Sequence, residues 1–173
     1  MKETMLATVL AFATLFSAVR AQPMHNHDPG EKVGGEAYSP GLGEIMALQQ
    51  MRHSKLWFAG DARNWGLAGY ELDELKEGFE GAAKLFPTVN GVSVGQAIGG
   101  ILADEIPQIA SAISAHDRTR FASAFDRLTA SCNACHQSTA HAFIVIQRPA
   151  AMPYTNQVFR PGPPTPPRTG HQH

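Results

Sequence analysis

Apolar residues recur in steps of three and four along most of residues 42–147, and this spacing constrains the fold more than any other feature. The clearest stripe comprises Trp65, Ala68, Leu72, Leu75, Phe79, Ala82 and Phe86. Such steps place side chains on one face of an α-helix, and that face must be buried against other elements. No convincing alternating strand pattern competes with the helical one. The sequence therefore predicts an all-α fold.

Capping residues and prolines divide this region into four predicted helical segments. The first runs over about residues 42–60, and the second begins at Asn64, a favoured N-cap residue, and ends before Pro87. The third segment is interrupted, so we expect either a kink near Pro107 or a helix that starts around Asp104.

The fourth predicted helix begins at the capping residue Asp117 and continues towards Ile146. Short connections between consecutive helices favour antiparallel neighbours, so an up-down four-helix bundle over residues 42–147 is expected. Residues 22–41 are rich in Gly, Pro, His and charge and predict a flexible lead-in. The repeated prolines of residues 148–173 predict an extended, solvated tail.

The first 21 residues have the features of a cleaved export signal. Lys2 provides a basic start, an apolar run follows from Met5 to Val19, and small residues precede a cleavage site after Ala21. The alternative is a membrane anchor, but a bilayer-spanning helix needs about 20 apolar residues, which is longer than this run. We therefore expect export to the periplasm, with no membrane span after cleavage.

The charge balance argues against a nucleic-acid partner. The formal net charge is −1, and removal of Lys2, Glu3 and Arg20 with the signal would make it −2. Proteins that bind nucleic acid or anionic membrane surfaces usually carry a basic surplus.

The chain has two cysteines, and they lie in the motif Cys132-Asn133-Ala134-Cys135-His136. This spacing matches the C-x-x-C-H pattern for attachment of haem c. The two thiols add across the porphyrin vinyl groups as thioethers, and the histidine supplies a ring nitrogen to the iron. On one helical turn, Cys132, Cys135 and His136 project towards the same side. The sequence therefore predicts these three residues as the cofactor-binding site.

Three other interpretations of the cysteine pair are weaker. A thioredoxin-type redox pair needs a strand-helix-strand setting, a zinc site needs a second ligand pair, and a disulfide here would close a very small loop. A haem-free metal-binding module remains an alternative if the motif acts with the terminal histidines, which are His25, His27, His171 and His173.

The helix count and the position of the motif on the last helix resemble the class II c-type cytochromes, which include cytochrome c prime. The resemblance covers about residues 42–147. It implies a periplasmic, single-haem electron carrier that exchanges electrons with redox partner proteins, is not an enzyme, and can form a homodimer. It also implies thioether bonds at Cys132 and Cys135 and axial ligation by His136. The 37 residues after His136 exceed the family's usual extension.

The ligand on the other side of the iron would decide between two functions. At about 100° per residue, Met46 and His53 share the apolar face of the first helix, whereas Met51 faces away. His53 is a candidate distal ligand or a hydrogen-bonded core histidine, and Met46 is a candidate ligand or apolar filling. If neither binds, a five-coordinate iron that takes nitric oxide or carbon monoxide is the alternative function.

Four further side chains could lie near a bound haem. Trp57 and Trp65 are expected to pack between helices or beside a haem. Arg52 is expected to be surface charge or to meet a propionate, and His141 is expected to be exposed. No acid–base pair or nucleophile arrangement stands out, so no catalytic residue is predicted.

Overall fold

Five helices make up the regular structure of residues 38–162, the part of the chain that the computed structural model describes. They are α1 Leu42–Asp61, α2 Trp65–Leu85, α3 Val94–Ala103, α4 Glu105–Ser114 and α5 Arg118–Ser138. Helix α1 packs on α2 and α5, α4 packs on α5, and α2 also contacts α3 and α4. Within the described residues there is no strand, and the one β pairing is a single bridge between Val89 and Val92. The all-α prediction is confirmed.

Several predictions fall outside the described residues. These are the signal segment 1–21, most of the lead-in 22–41, the end of the proline-rich tail and the terminal histidines. Across residues 38–162, no helix combines the length and apolar character needed to cross a bilayer.

Side-chain caps begin three of the helices, and two of these caps, Asn64 and Asp117, were predicted. Asn64 accepts a hydrogen bond from the Leu67 N–H at 3.3 Å, and Asp117 accepts one from the Arg120 N–H at 3.0 Å. Ser93 does the same at the start of α3. Each side chain satisfies one of the backbone donors that a helix start leaves without a partner. The predicted starts of α2 and α5 are therefore confirmed.

Left-handed residues end α1 and α4 in the same way. Arg63 has a φ of 59°, and the following Asn64 N–H bonds to the Ala59 carbonyl at 2.8 Å. His116 has a φ of 53°, and Asp117 follows it in the equivalent position. These are Schellman motifs, which satisfy the last helical carbonyls. Asn64 and Asp117 each belong to both the end of one helix and the N-cap of the next. The connections from α1 to α2 and from α4 to α5 are therefore very short.

The third predicted segment is broken into α3 and α4 at Asp104. Pro107 is the third residue of α4, and it has no N–H to bond the carbonyl of Ala103 one turn earlier. The prediction of a helix that starts around Asp104 is confirmed, because α4 begins at Glu105.

Helix α5 ends at Ser138, so the prediction that it continues towards Ile146 is wrong. Ala140 adopts a left-handed conformation with a φ of 63°. The His141 N–H then bonds back to the His136 carbonyl at 2.7 Å, which completes a third Schellman motif. The chain reverses here, and residues 140–146, which we call the strap, return along the end of α5.

The core is centred on aromatic side chains of α5. Phe121, Phe125 and Leu128 have no solvent exposure. Helices α1 and α5 approach closely at Gly60, where an added Cβ would lie 2.2 Å from the Phe121 ring. Glycine at this position therefore allows the two helices to pack with Phe121 between them.

The first part of the tail packs on the helices rather than remaining solvated. Phe159 is 6% exposed and contacts Phe58 edge to face. The Arg148 guanidinium lies 4.2 Å from the Trp57 ring centroid and also bonds Asp126. A high proline content predicts extended chain. It does not reveal whether aromatic and cation–π contacts pack that chain onto the helices.

We expect Gly60→Ala to destabilise the protein by about 1–3 kcal/mol, because its methyl group would overlap the buried Phe121 ring. Urea unfolding of the full chain would measure this loss. The matched control is Gly69→Ala, since a Cβ at Gly69 meets nothing within 4 Å. The control should be neutral or stabilising by about 0.5–1 kcal/mol. Equal effects of the two substitutions would contradict the close packing at Gly60.

Candidate functional site

A cavity of about 400 Å³ lies among α1, α2, α3, α5 and the strap. Cofactor and ligand sites in proteins commonly occupy about 300–1,000 Å³ and have mostly apolar linings. Six of the apolar side chains that line this cavity are Leu75, Phe79, Val94, Ile98, Ile101 and Ile146. The space therefore suits a largely hydrophobic group.

All three residues of the predicted attachment motif line this cavity, which brings Cys132, Cys135 and His136 onto one side of it. Both cysteines are free thiols. Burial raises the pKa of Cys132 to about 12, with a smaller contribution from the neighbouring Cys135, and burial also raises the pKa of Cys135. Both sulfurs are therefore protonated and neutral at physiological pH.

A hydrogen bond fixes which nitrogen of His136 is free. The His136 Nδ1 lies 2.9 Å from the carbonyl oxygen of Ile144. Because a carbonyl can only accept, Nδ1 carries the proton, and in the neutral ring Nε2 keeps its lone pair. Histidines that bind metals commonly donate their other N–H to such an oxygen, which orients the ring. His136 is therefore in the tautomer that can bind a metal through Nε2.

The strap that supplies this carbonyl is attached to the motif itself. The Asn133 amide donates to the Ile146 carbonyl and accepts from the Ile146 N–H, both at 2.8 Å. Ile144 and Ile146 also line the cavity, so the strap closes one side of it. Sequence reasoning missed these three residues, because the strap was expected to be helix and a variable position inside C-x-x-C-H carries no signal of its own.

A tight turn between α2 and α3 closes another side. Asn90 and Gly91 have φ values of 50° and 78°, and Val89 and Val92 exchange two backbone hydrogen bonds at 2.9 Å. This is the two-residue turn that Asn-Gly favours. The Asn90 amide donates to the carbonyl of Thr139 at the end of α5. The turn therefore places Val89 in the lining and satisfies a helix-end acceptor.

His53 points inward as predicted and is only 4% exposed. Its Nε2 lies 2.8 Å from the hydroxyl oxygen of Thr129, which donates its own proton to the Phe125 carbonyl. The hydroxyl must therefore accept, so Nε2 of His53 carries a proton. Burial lowers the pKa of His53 to about 4, which keeps the ring neutral.

The two methionines of α1 are placed as the helical period predicts. Met46 is half-buried and lines the cavity, while Met51 is not among the lining residues. Met46 is thus the inward-facing thioether on this helix.

The remaining predicted neighbours have separate roles. Trp57 and Trp65 pack against Phe121 rather than lining the cavity. Arg52 bonds the Glu74 carboxylate at 2.9 Å, so its charge is paired between α1 and α2. His141 was expected to be exposed, but it is half-buried and lines the cavity.

The donor set suits a large apolar group that takes two thioether bonds and one nitrogen ligand. Within residues 38–162, no group of three or more His, Cys, Asp and Glu side chains is arranged to hold a metal ion directly. Comparisons of the chain with models of known families, with curated proteins and with solved structures found no match. The chemistry of this cavity is therefore the feature that bears on function.

We expect the buried His53 to make stability depend on pH in one window. Between pH 6.5 and about 4 the unfolded chain binds a proton that the folded ring does not, so acid favours unfolding. The free energy of unfolding should fall by up to about 3 kcal/mol across this window. Urea unfolding from pH 4 to pH 8 would measure the fall.

The comparison variant is His53→Leu, which lacks the titrating ring. Its stability curve should run parallel to that of the wild type above pH 6.5 and show a smaller fall below it. Parallel curves over the whole range would show that His53 does not have a lowered pKa.

Proposed function

We propose that this protein is a single-haem c-type cytochrome that carries electrons between redox partner proteins in the periplasm. Cys132 and Cys135 would hold the porphyrin through thioether bonds, and His136 would bind the iron. The observation that carries the proposal is the common placement of two thiols and a free ring nitrogen on one side of an apolar cavity.

The chemistry of the two thiols supports haem attachment over disulfide exchange. An exchange cysteine needs a lowered pKa so that the thiolate can attack, whereas burial raises the pKa of both sulfurs here. Attachment instead adds each S–H across one vinyl double bond, forming a thioether without loss of any atom. This addition needs no oxidant and uses two unpaired cysteines, which is what the site contains.

The arrangement of helices supports the same proposal. In this proposal α3 and α4 together form the third helix of an up-down four-helix bundle of the class II cytochrome kind. Packing of α1 on both α2 and α5, and of α4 on α5, is compatible with that topology. The haem would supply a one-electron couple, while the helices and the strap hold it and exclude water. Association into a homodimer would be a further property of this kind of bundle.

Met46 is the better candidate for the distal ligand. The Nε2 of His53 is already protonated and bonded to Thr129, so binding through it would break a buried hydrogen bond. Met46 faces the same cavity, and its thioether is a known iron ligand in electron-carrying cytochromes.

One observation favours the gas-binding alternative. His53 lines the cavity, but its Nε2 is bonded to Thr129, and the lining apart from Met46 is largely apolar. If Met46 only fills space, the iron has an open position that a diatomic gas could occupy.

We expect the exported wild-type protein to carry one covalent haem. Intact-mass analysis and haem-dependent peroxidase staining after denaturing electrophoresis would both detect it. The Cys132→Ser/Cys135→Ser variant should show neither signal, whereas Ser138→Ala, a surface change one turn along α5, should keep both. Two free thiols and no added mass in the exported wild type would end the haem proposal.

We expect a low-spin absorption spectrum that carbon monoxide leaves unchanged, because Met46 would supply the iron with a second side-chain ligand. Met46→Ala should become high-spin and bind the gas, and His53→Ala should remain low-spin. A wild type that is already high-spin and binds carbon monoxide would favour the gas-binding function. Loss of the low-spin spectrum only in His53→Ala would assign the ligand to His53.

A further inference from the structure

The strap is fastened to the same helical turn that carries the attachment motif. Asn133 holds Ile146 through both backbone groups at 2.8 Å, and Ile144, two residues earlier, accepts the His136 Nδ1–H at 2.9 Å. At its start, the His141 N–H bonds to the His136 carbonyl at 2.7 Å. The strap therefore has a backbone bond at one end, an amide pair at the other, and the His136 ring between them.

We propose that Asn133 is a positioning residue for His136. By holding Ile146, it fixes the Ile144 carbonyl, which keeps the proton on Nδ1 and directs Nε2 into the cavity. This role rests on the proposed function, since it matters only if His136 binds iron.

The chemistry of the amide explains why asparagine suits this position. A backbone residue presents one donor and one acceptor, and the asparagine side chain offers the matching acceptor and donor at short reach. Aspartate would keep an acceptor for the Ile146 N–H but would place a second oxygen against the Ile146 carbonyl. Alanine would leave both backbone groups to water.

The other ties of this segment are a bond between two strap residues, from the Ile144 N–H to the His141 carbonyl at 2.8 Å, and the Arg148–Asp126 pair beyond its end. Among the residues described, the amide pair alone joins the end of the strap to the helical turn that carries His136. Phe143 is 80% exposed and Val145 is 73% exposed, so their side chains add little burial. Ile146 is half-buried and lines the cavity. Without the amide pair, the Ile144 carbonyl would move relative to His136, and the partly exposed ring could rotate or exchange its proton.

The hydrogen bond also affects the iron that His136 would bind. Donation from Nδ1 to a carbonyl makes Nε2 a stronger ligand base, which favours the oxidised metal. Losing the fixed carbonyl should therefore move the reduction potential to more positive values. It should also expose the Nδ1 proton to solvent.

The experiment compares the full-length haem-bearing wild type with Asn133→Ala and Asn133→Asp. The control is Gln137→Ala, because Gln137 is exposed on the same helix, adjoins His136, and makes no side-chain hydrogen bond within the described chain. Two readouts are used: the reduction potential, and the rate at which the His136 Nδ1 proton exchanges with water, measured by NMR.

We expect Asn133→Ala to show a more positive potential than Gln137→Ala. Asn133→Asp is compared by proton exchange alone, because its added negative charge would itself lower the potential. Exchange of the Nδ1 proton should be faster by about fivefold or more, because the hydrogen bond to the Ile144 carbonyl no longer protects it. Potentials and exchange rates equal to those of Gln137→Ala would overturn the proposal.

A second variant guards against failed attachment, since Asn133 lies between the two cysteines. Ile146→Pro leaves the motif intact and removes the N–H that Asn133 accepts. It should shift both readouts in the same direction as Asn133→Ala, and no shift would count against the proposal. A wild type without covalent haem would remove the proposed function and this role together. A haem-bearing wild type with unresponsive variants would remove this role alone.

Discussion

The reversal of the chain at Ala140 is the constraint on which the cavity depends. A left-handed backbone costs a non-glycine residue about 1–2 kcal/mol, and Ala140 has a φ of 63°. Three hydrogen bonds offset this cost, because the reversal brings the strap back to Asn133 and His136, where the bonds form. Had α5 continued as one helix, neither the lining by Ile146 nor the acceptor for His136 would exist.

Local patterns in the sequence were enough to predict most of the helices, and they selected a motif that the structure places in the cavity lining. The steps of three and four located α1 and α2, and Asn64 and Asp117 marked helix starts through a side-chain bond that depends only on neighbouring residues. The end of α5 was not predictable in this way. Helices usually end at a left-handed glycine, whereas here Arg63, His116 and Ala140 occupy that position, so the usual signal is missing.

The hydrogen-bond partner of an inward-facing side chain can lie far away in the sequence. The helical period predicts which way a side chain points, but not which partner it meets. The period placed His53 correctly on the buried face, but its partner Thr129 lies on α5. That contact decides which nitrogen of His53 carries the proton, and it is the reason why we propose Met46 rather than His53 as the distal ligand. The tail shows the same limit: its prolines predicted solvated chain, while Arg148 and Phe159 hold it against α1.

The charge state of the cavity bears on the electron-carrying role that we propose. No Asp, Glu, Lys or Arg is among its lining residues, the two thiols are neutral, and burial keeps His53 neutral. An oxidised haem iron carries one more positive charge than the reduced form, so a neutral, apolar lining favours reduction. The hydrogen bond from His136 to Ile144 acts in the opposite direction by strengthening the nitrogen ligand. The reduction potential would therefore be set by the balance between the apolar helices on one side of the cavity and the strap on the other.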